Sequence, residues 1–356
     1  MPNPNQSTDP RQRIAVTTGD PAGVGPEVIA AVWADRRVTE VARPVVVGEP
    51  DVMRKAVALR SPGVAVRAVG RFDEGIAAAS PSVLPCWHPE GATHPGDFTP
   101  GDVTAATGQS AYEAVVAATR LALAGDCDAL VTAPISKAAL HAAGHDYPGH
   151  TELLAELCDA REFAMMLYLP QPAAPATRAG VGVVHVTLHC ALRDAIDRLS
   201  PDAVVEKCRL AHDAMAAFGL ESPRIGVAAL NPHAGEGGLF GDEESRVIAP
   251  GVERARATGV DATGPHSVDT LMGRAAVLGE FDAVVAMYHD QGHIALKLLG
   301  MHSAVNVTLG LPIVRTSVAH GTAPDLAWKG VAETGGMIAA IESAATLARV
   351  RAAARG

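Results

Sequence analysis

Short apolar runs alternate with longer amphipathic stretches along most of the chain. Residues 13–18 (RIAVTT) predict a strand, followed by a Gly/Pro loop and a helix over about 26–34. Residues 44–47, 128–132 (DALVT), 164–169, 181–187, 224–230, 282–287 and 304–308 predict further buried strands. Residues 109–125 have helical spacing, with Tyr112, Val115, Val116, Thr119 and Leu123 on one side, and 202–218 and 336–353 are also helical. Near-continuous apolar strands separated by helices predict an α/β protein with a largely parallel sheet. Residues 51–108, punctuated by Pro62, Pro89 and Pro95, read as irregular. Residues 170–180 (PQPAAPATRAG) read as a surface loop or insertion, and residues 1–12 as a disordered tail.

The length, 356 residues, suggests two domains. Hydrophobic residues at 48% against 19% charged supply a sizeable core and exclude disorder as the main state. A formal charge of −10 argues against nucleic acid as a partner, and 4% aromatics against base-stacking platforms. No apolar run reaches the ~20 residues that span a bilayer, and the polar start lacks the apolar core of a secretory signal. The five cysteines, Cys86, Cys127, Cys158, Cys190 and Cys208, are widely spaced without a CxxC, which fits a reducing compartment. A cytoplasmic protein without a membrane partner is expected.

Histidine changes the picture. There are 14, and none precedes residue 88. Three apolar runs, VGVVHVTLH, RIGVAALNPH and DAVVAMYH, end in His189, His233 and His289. Ligands of open α/β sheets bind beyond the carboxyl ends of the strands, and three neutral imidazoles suit a divalent metal with an open position. One such histidine is usually an ordinary polar residue where a strand leaves the core; the threefold recurrence puts the metal reading on an equal footing.

Two Gly-rich loops, GDPAGVGP at 19–26 and GEGGLFG at 235–241, can bring backbone N–H groups close to an anion, although a tight strand-to-helix turn explains either alone. No GxGxxG, GxxxxGK[ST] or GxSxG occurs, which disfavours a standard dinucleotide fold, a P-loop and a hydrolase elbow. The densest polar cluster lies in the C-terminal third: YHDQG at 288–292, Lys297, Asn306, Arg315 and HGTAPD at 320–325. Basic residues flanking apolar segments in an acidic chain suggest a phosphate-like anion, where isolated ones would only solvate a surface.

The blocks GDPAGVGPE, GHTELLAE, HVTLHCALRD, NPHAGEGG, MYHDQG and LGLPIVRTSVAHGTA run from about residue 13 to 340 and resemble the 4-hydroxythreonine-4-phosphate dehydrogenase (PdxA) family. HGTAPDLAWKG is also similar to the adenosine-binding loop of isocitrate and isopropylmalate dehydrogenases. The resemblance implies two α/β/α domains with mostly parallel sheets and an active site in the interdomain cleft. The expected domains are 13–140 with 305–356, carrying the cofactor loop, and 141–304, carrying the metal ligands and dimer contacts. It implies metal ligands His189, His233 and His289, and substrate contacts His150, Thr151, Lys297, Asn306 and Arg315. Asp269 lies nearby and joins Lys297 and His150 as catalytic candidates. His320, Gly321, Thr322, Ala323 and Asp325 become the cofactor loop. NAD, or NADP, is the implied cofactor, with Zn or else Mg, Mn, Co or Ni as the metal. A homodimer with shared active sites is implied as well.

The implied reaction is oxidation of a hydroxyl beta to a carboxylate, followed by decarboxylation of the β-keto acid. His293, CALRD after His189 and GLFG at 238–241 look more like the catabolic paralogues, which oxidise D-threonate or D-erythronate 4-phosphate or, without a phosphate, the cis-dihydrodiol of terephthalate. Lys297, Asn306 and Arg315 favour a phosphorylated substrate. A metal-dependent lyase or hydrolase without a nicotinamide, and a non-catalytic metabolite or metal binder, are the alternatives from other classes.

Overall fold

The structure is a computed structural model in which residues 9–354 are described. The first stretch runs β1 (Gln12–Thr17), α1 (Gly25–Val32), α2 (Arg36–Thr39), β2 (Ala42–Val47), α3 (Pro50–Arg60), β3 (Ala65–Val69), α4 (Phe72–Ala78) and β4 (Val83–Trp87). Then come α5 (Ala105–Ala124), β5 (Ala129–Thr132), α6 (Lys137–Ala142), α7 (His150–Leu157), β6 (Ala164–Leu169) and β7 (Val181–His185). They are followed by α8 (Leu192–Asp197), α9 (Pro201–Ala217), β8 (Arg224–Ala228), α10 (Ala249–Ala257), β9 (Asp261–His266) and α11 (Val268–Ala276). The chain closes with β10 (Ala283–Ala286), α12 (His289–Gly300), β11 (Val305–Leu309), β12 (Arg315–Val318) and α13 (Gly335–Ala353).

Two compact units emerge: residues up to Asp159 with those from Pro312 on, and Ala160–Leu311. Both cuts fall later in the chain than residues 140 and 304. α6 packs on α5, and β11 pairs antiparallel with β6, so each stays with the unit it packs against. In the first unit the strands lie in the order β3-β4-β2-β1-β5-β12, all parallel. The second has the order β11-β6-β7-β10-β8-β9, parallel from β7 onward, with β6 antiparallel to both its neighbours. β1, β5, β6, β7 and β10 are covered on both faces, which is why their sequences run apolar without alternation. The mostly parallel α/β architecture is as expected; the reversed β6 is not written in its sequence, because a fully buried run reads the same in either direction.

The stretch 51–108 is more regular than its prolines suggest. Pro50 sits in the first turn of α3, where its missing N–H costs nothing, and Glu49 caps that helix by accepting from Asp51 N at 3.2 Å. β3 is an edge strand with no fully buried residue, so it lacks an apolar signature. The connection 170–180 is likewise held rather than loose: Ala174 and Thr177 are buried, and Tyr168 donates to the Ala179 carbonyl at 2.6 Å. Of the expected tail, residues 1–8 lie outside the described residues. Asp9 pairs with Arg11 and Arg43, and Gln12 opens β1, so positions 9–12 belong to the fold.

α5 runs four residues further toward the N-terminus than its spacing predicts, because Thr104 caps it by accepting from Thr107 N at 3.1 Å. Its buried face is Ala111, Ala114, Val115, Ala118 and Thr119, whereas Leu123 is exposed. Small residues bring α6 very close: a Cβ on Gly108 would stand 2.0 Å from the Ala139 carbonyl oxygen. Backbone cannot yield as a side-chain tip can, so Gly108→Val should destabilise the protein by about 2–3 kcal/mol. A urea midpoint within error of wild type would show that the two helices can separate at little cost.

Candidate functional site

In the first unit the Gly-rich loop after β1 and the loop after β12 come together, both beyond carboxyl ends of parallel strands. Val24 N donates to the Thr322 carbonyl at 3.0 Å, and Gly101 N to the Ala22 carbonyl at 2.8 Å. A side chain at Gly23 would meet Thr322 Cβ at 3.0 Å. Glu27 accepts from Trp328 N and Gly330 N at 3.0 and 2.8 Å, anchoring the segment downstream of His320–Asp325. Ala323 takes a left-handed φ of 41°, and a cleft opens between Asp20, Gly23, Asp102, Ser136, Thr322 and Pro324. Burial pushes the Asp20 carboxyl up, opposed by hydrogen bonds from Ala22 and Thr107. Of the expected cofactor residues, Thr322 lines this cleft, and Pro324 of the same segment stands beside it.

Arg315, on β12, is buried at 3% exposure and donates from Nη2 to Thr132 Oγ1 of β5 at 2.5 Å. Burial draws its guanidinium down to about 9, with Glu152 opposing, which still leaves it cationic at neutral pH. His150 is the first residue of α7, and Thr151 follows it. Burial and then the Arg315 charge hold the His150 imidazole well below its ordinary range, so it is neutral, and its Nε2 is buried without a hydrogen-bond partner. A fixed cation beside a neutral imidazole suits an anionic group that also carries a hydroxyl.

In the second unit His289 opens α12, and His293 and Lys297 follow at intervals of four on the same helical face. The His289 and His293 rings stack at 3.8 Å and 10°. His293 Nδ1 lies 3.1 Å from Nε2 of the buried His185, at the end of β7. Burial, then the neighbouring histidines, pull His185 well below the usual imidazole range; burial, then His289 and Lys297, bring His293 to about 4. His289 itself pairs Nδ1 with Asp290 Oδ1 at 2.7 Å, the kind of carboxylate partner that metal-binding imidazoles keep on their other nitrogen. His189 is exposed, with its ring 5.9 Å from that of His289, and the two border a cleft with Leu188, Leu192 and Tyr288.

His233 lies on a left-handed turn. The five residues His233–Gly237 all have positive φ, from 45° to 79°. Such a run is unfavourable for His233, Ala234 and Glu236, at roughly 1–2 kcal/mol each. It persists because Glu244 accepts from Leu230 N, Asn231 N and Asn231 Nδ2 at 2.7–3.0 Å and fixes the entry to the turn. Asp269 is exposed in the first turn of α11, Lys297 is half-buried, and Asn306 lies on β11 opposite Leu167. The structure thus pairs His189 with His289 and His150 with Arg315. Among the described residues, the group whose donor atoms all lie within 4.8 Å of one another is a different one, Glu49, His88 and His94. Sequence reasoning passed over it, and also over His185; the i, i+4, i+8 spacing of His289, His293 and Lys297 was available and unused.

Two units of mostly parallel sheet, each with polar residues at strand ends, place the chain in the α/β class whose sites sit at the sheet's carboxyl edge. Residues 40–344 match the family described as pyridoxal phosphate biosynthetic protein PdxA, and the chain belongs to that family. It is 48% identical over 348 residues, 97% of this chain and 98% of the relative, to a 4-hydroxythreonine-4-phosphate dehydrogenase of Geobacter metallireducens. A D-threonate 4-phosphate dehydrogenase of Pectobacterium atrosepticum is 45% identical over 336 residues, 94% of this chain and 99% of the relative. The crystal structure of a 4-hydroxythreonine-4-phosphate dehydrogenase from Klebsiella pneumoniae is similar at a TM-score of 0.84 and 43% identity, covering 96% of this chain and all of the other. Among the described residues no helix is long and apolar enough to cross a membrane, and the five cysteines are free.

Proposed function

We propose that this chain is an NAD-linked dehydrogenase, with NADP as the alternative dinucleotide, that oxidises a phosphorylated four-carbon hydroxy acid in the cytoplasm. The observation that carries this reading is the buried cation Arg315 beside the neutral His150, in a family whose relatives are named for phosphorylated substrates. The proposed roles follow from chemistry. Arg315, Asn306 and Lys297 hold the anionic ends, and His150 and Thr151 hold hydroxyls. His320–Asp325 and the wall at 19–26 receive the dinucleotide, a reading supported by the hydrogen bond from Val24 N to the Thr322 carbonyl and by the cleft between Asp20, Gly23 and Thr322.

His189, His233 and His289 are the proposed metal ligands, Zn being the ion that three imidazoles suit best. The fit is supported by Asp290, which orients the His289 ring as an outer partner of a ligand does. Such an ion, when bound, supplies Lewis acidity toward the substrate hydroxyl and the forming carbonyl. Oxidation takes a hydride from carbon and a proton from that hydroxyl; the β-keto acid formed loses CO2 and gains a proton at carbon. Neutral His150 can accept the hydroxyl proton, Lys297 can donate the carbon-bound one, and Asp269 is the third catalytic candidate. The phosphate contacts favour this over a dihydrodiol substrate.

The test is a panel of 4-hydroxythreonine 4-phosphate, D-threonate and D-erythronate 4-phosphates and the terephthalate dihydrodiol, with NAD and with NADP, watching reduced nicotinamide form. Turnover that depends on metal but forms no reduced nicotinamide would move the assignment to a lyase or hydrolase; turnover of the dihydrodiol alone would remove the phosphate. We also propose a homodimer with shared sites. Mixing His189→Ala with His289→Ala protein should then restore part of the lost activity, and no recovery despite subunit exchange would count against shared ligands.

A further inference from the structure

The residues Glu49, His88 and His94 occupy neighbouring loops of the first unit. β2 and β4 are parallel neighbours with Val47 opposite Trp87, and Gly48 N donates to the Trp87 carbonyl at 3.0 Å. That register brings together the residues just beyond each strand: Glu49, second after β2, and His88, first after β4. The chain then turns through Pro89–Thr93 and returns His94 to the same point. Thr93 is held there by Glu113, which accepts from its backbone N at 2.5 Å.

The hydrogen bonding leaves three donor atoms aimed at one another. Glu49 spends Oε1 on the α3 cap and turns Oε2 toward the two histidines. His88 faces the Ala92 carbonyl with Nε2 at 3.1 Å. A carbonyl only accepts, so Nε2 carries a proton, and Nδ1 is the ring atom available to a ligand. That Nδ1 is buried without a hydrogen-bond partner and points at Glu49 Oε2 from 3.6 Å. A ring nitrogen facing a carboxylate oxygen, where the side chains of Glu49 and His88 are only 10% and 18% exposed, favours a positive charge between them, either a proton or a metal ion. His94 contacts the same oxygen through Nδ1 and stacks on His88 with centroids 4.4 Å apart.

We infer that Glu49 Oε2, His88 Nδ1 and His94 Nδ1 form a binding site for a divalent transition-metal ion of the Zn(II) type. Zn–N and Zn–O bonds of about 2.0–2.2 Å in a tetrahedron place ligand atoms roughly 3.3–3.5 Å apart. The 3.6 Å between His88 and Glu49 is already near that spacing. His94, at 72% exposure, is the ligand that swings outward to admit the ion, releasing its Nδ1 proton to solvent. The Ala92 carbonyl fixes the His88 tautomer in the way outer partners of metal-bound histidines do, and water takes the fourth position. Binding ties the β2–α3 turn to the loop after β4. None of these residues belongs to the proposed reaction site.

The test is calorimetric titration of chelator-treated full-length protein with Zn(II), and with Co(II) as a visible-absorption probe. Wild type should bind one more equivalent per chain than the His88→Ala/His94→Ala double variant. Glu49→Gln and His94→Ala should each weaken that equivalent at least tenfold and leave the rate of nicotinamide reduction unchanged. Its affinity should rise with pH, because protons compete for the imidazoles. Equal stoichiometry and affinity in wild type and double variant overturn the site. Should the double variant fail to fold, His94→Ala decides alone, since its exposed side chain can be removed without disturbing the core: unchanged binding in that variant also overturns the site.

Discussion

Replacing Arg315 with methionine is expected to lower kcat/KM for the phosphorylated acid by about 10²–10³. The reasoning is energetic. Hydrogen bonds from a charged donor are worth about 1.5–3 kcal/mol each, and a guanidinium in contact with a phosphate or carboxylate can make two. Losing about 3–4 kcal/mol corresponds to that factor. Arg315→Lys should recover only part of it, because an ammonium on a flexible stem cannot reproduce the planar fork that Thr132 Oγ1 positions from one side. The measurement is initial rates of both variants against wild type, with circular dichroism to establish that they are folded. A folded Arg315→Met protein within a few-fold of wild type would remove Arg315 from the anion site. The neighbouring imidazole supplies a pH signature. Burial and the Arg315 charge keep His150 neutral well below its ordinary range. The acid limb of kcat/KM should therefore lie below about pH 6.5, the usual imidazole value. His150→Gln should abolish that limb; a break at the ordinary value would show that His150 is solvated and not the base.

The second large effect is structural. Asp282 stands immediately before β10, fully buried, and accepts from Arg178 Nε at 3.0 Å and from Arg224 N, Nε and Nη2 at 2.8, 3.1 and 3.1 Å. It ties together the segment before β7, the start of β8 and the start of β10. Burial pushes its carboxyl up, and the bonds from Arg178 and Arg224 more than reverse this, leaving it below the usual carboxylate range. Asp282→Ala leaves two guanidinium groups facing a gap. Removing one partner of a buried pair costs about 3–5 kcal/mol, and the lower end applies because the two arginines are 42% and 35% exposed. Against a total of about 5–15 kcal/mol this is a large loss. A group with a depressed folded pKa contributes stability above its unfolded value, about 3.9, and loses it as pH falls through the folded one. The urea midpoint of wild type should thus decline below about pH 4 more steeply than that of Asp282→Ala. Parallel pH dependence in the two proteins would mean that this carboxylate is not the group responsible.

By itself the sequence determined the α/β class, the succession of most strands and long helices, and the blocks that mark the family. These follow from periodicity, from apolar runs long enough to be buried on both faces, and from local motifs, all of which are written in consecutive residues. β6 was legible even to its ends, 164–169. What the sequence did not carry is direction and company. It could not show that β6 runs antiparallel, that an edge strand stands at Ala65–Val69, or that Pro50 begins a helix, since each depends on what a neighbour covers or leaves open.

The same division holds for the candidate site. His189, His233, His289 and Arg315 could be singled out at strand ends, but their environments belong to the tertiary structure. Only there does Arg315 become a buried cation, His289 gain the stacked His293 and His185, and His233 take its place on a left-handed turn. Glu49, His88 and His94 are separated by up to 45 residues, and nothing local relates them; the parallel register of β2 and β4 does. Ionisation and ligand geometry are set by what surrounds a side chain in space, and a sequence lists only what surrounds it along the chain.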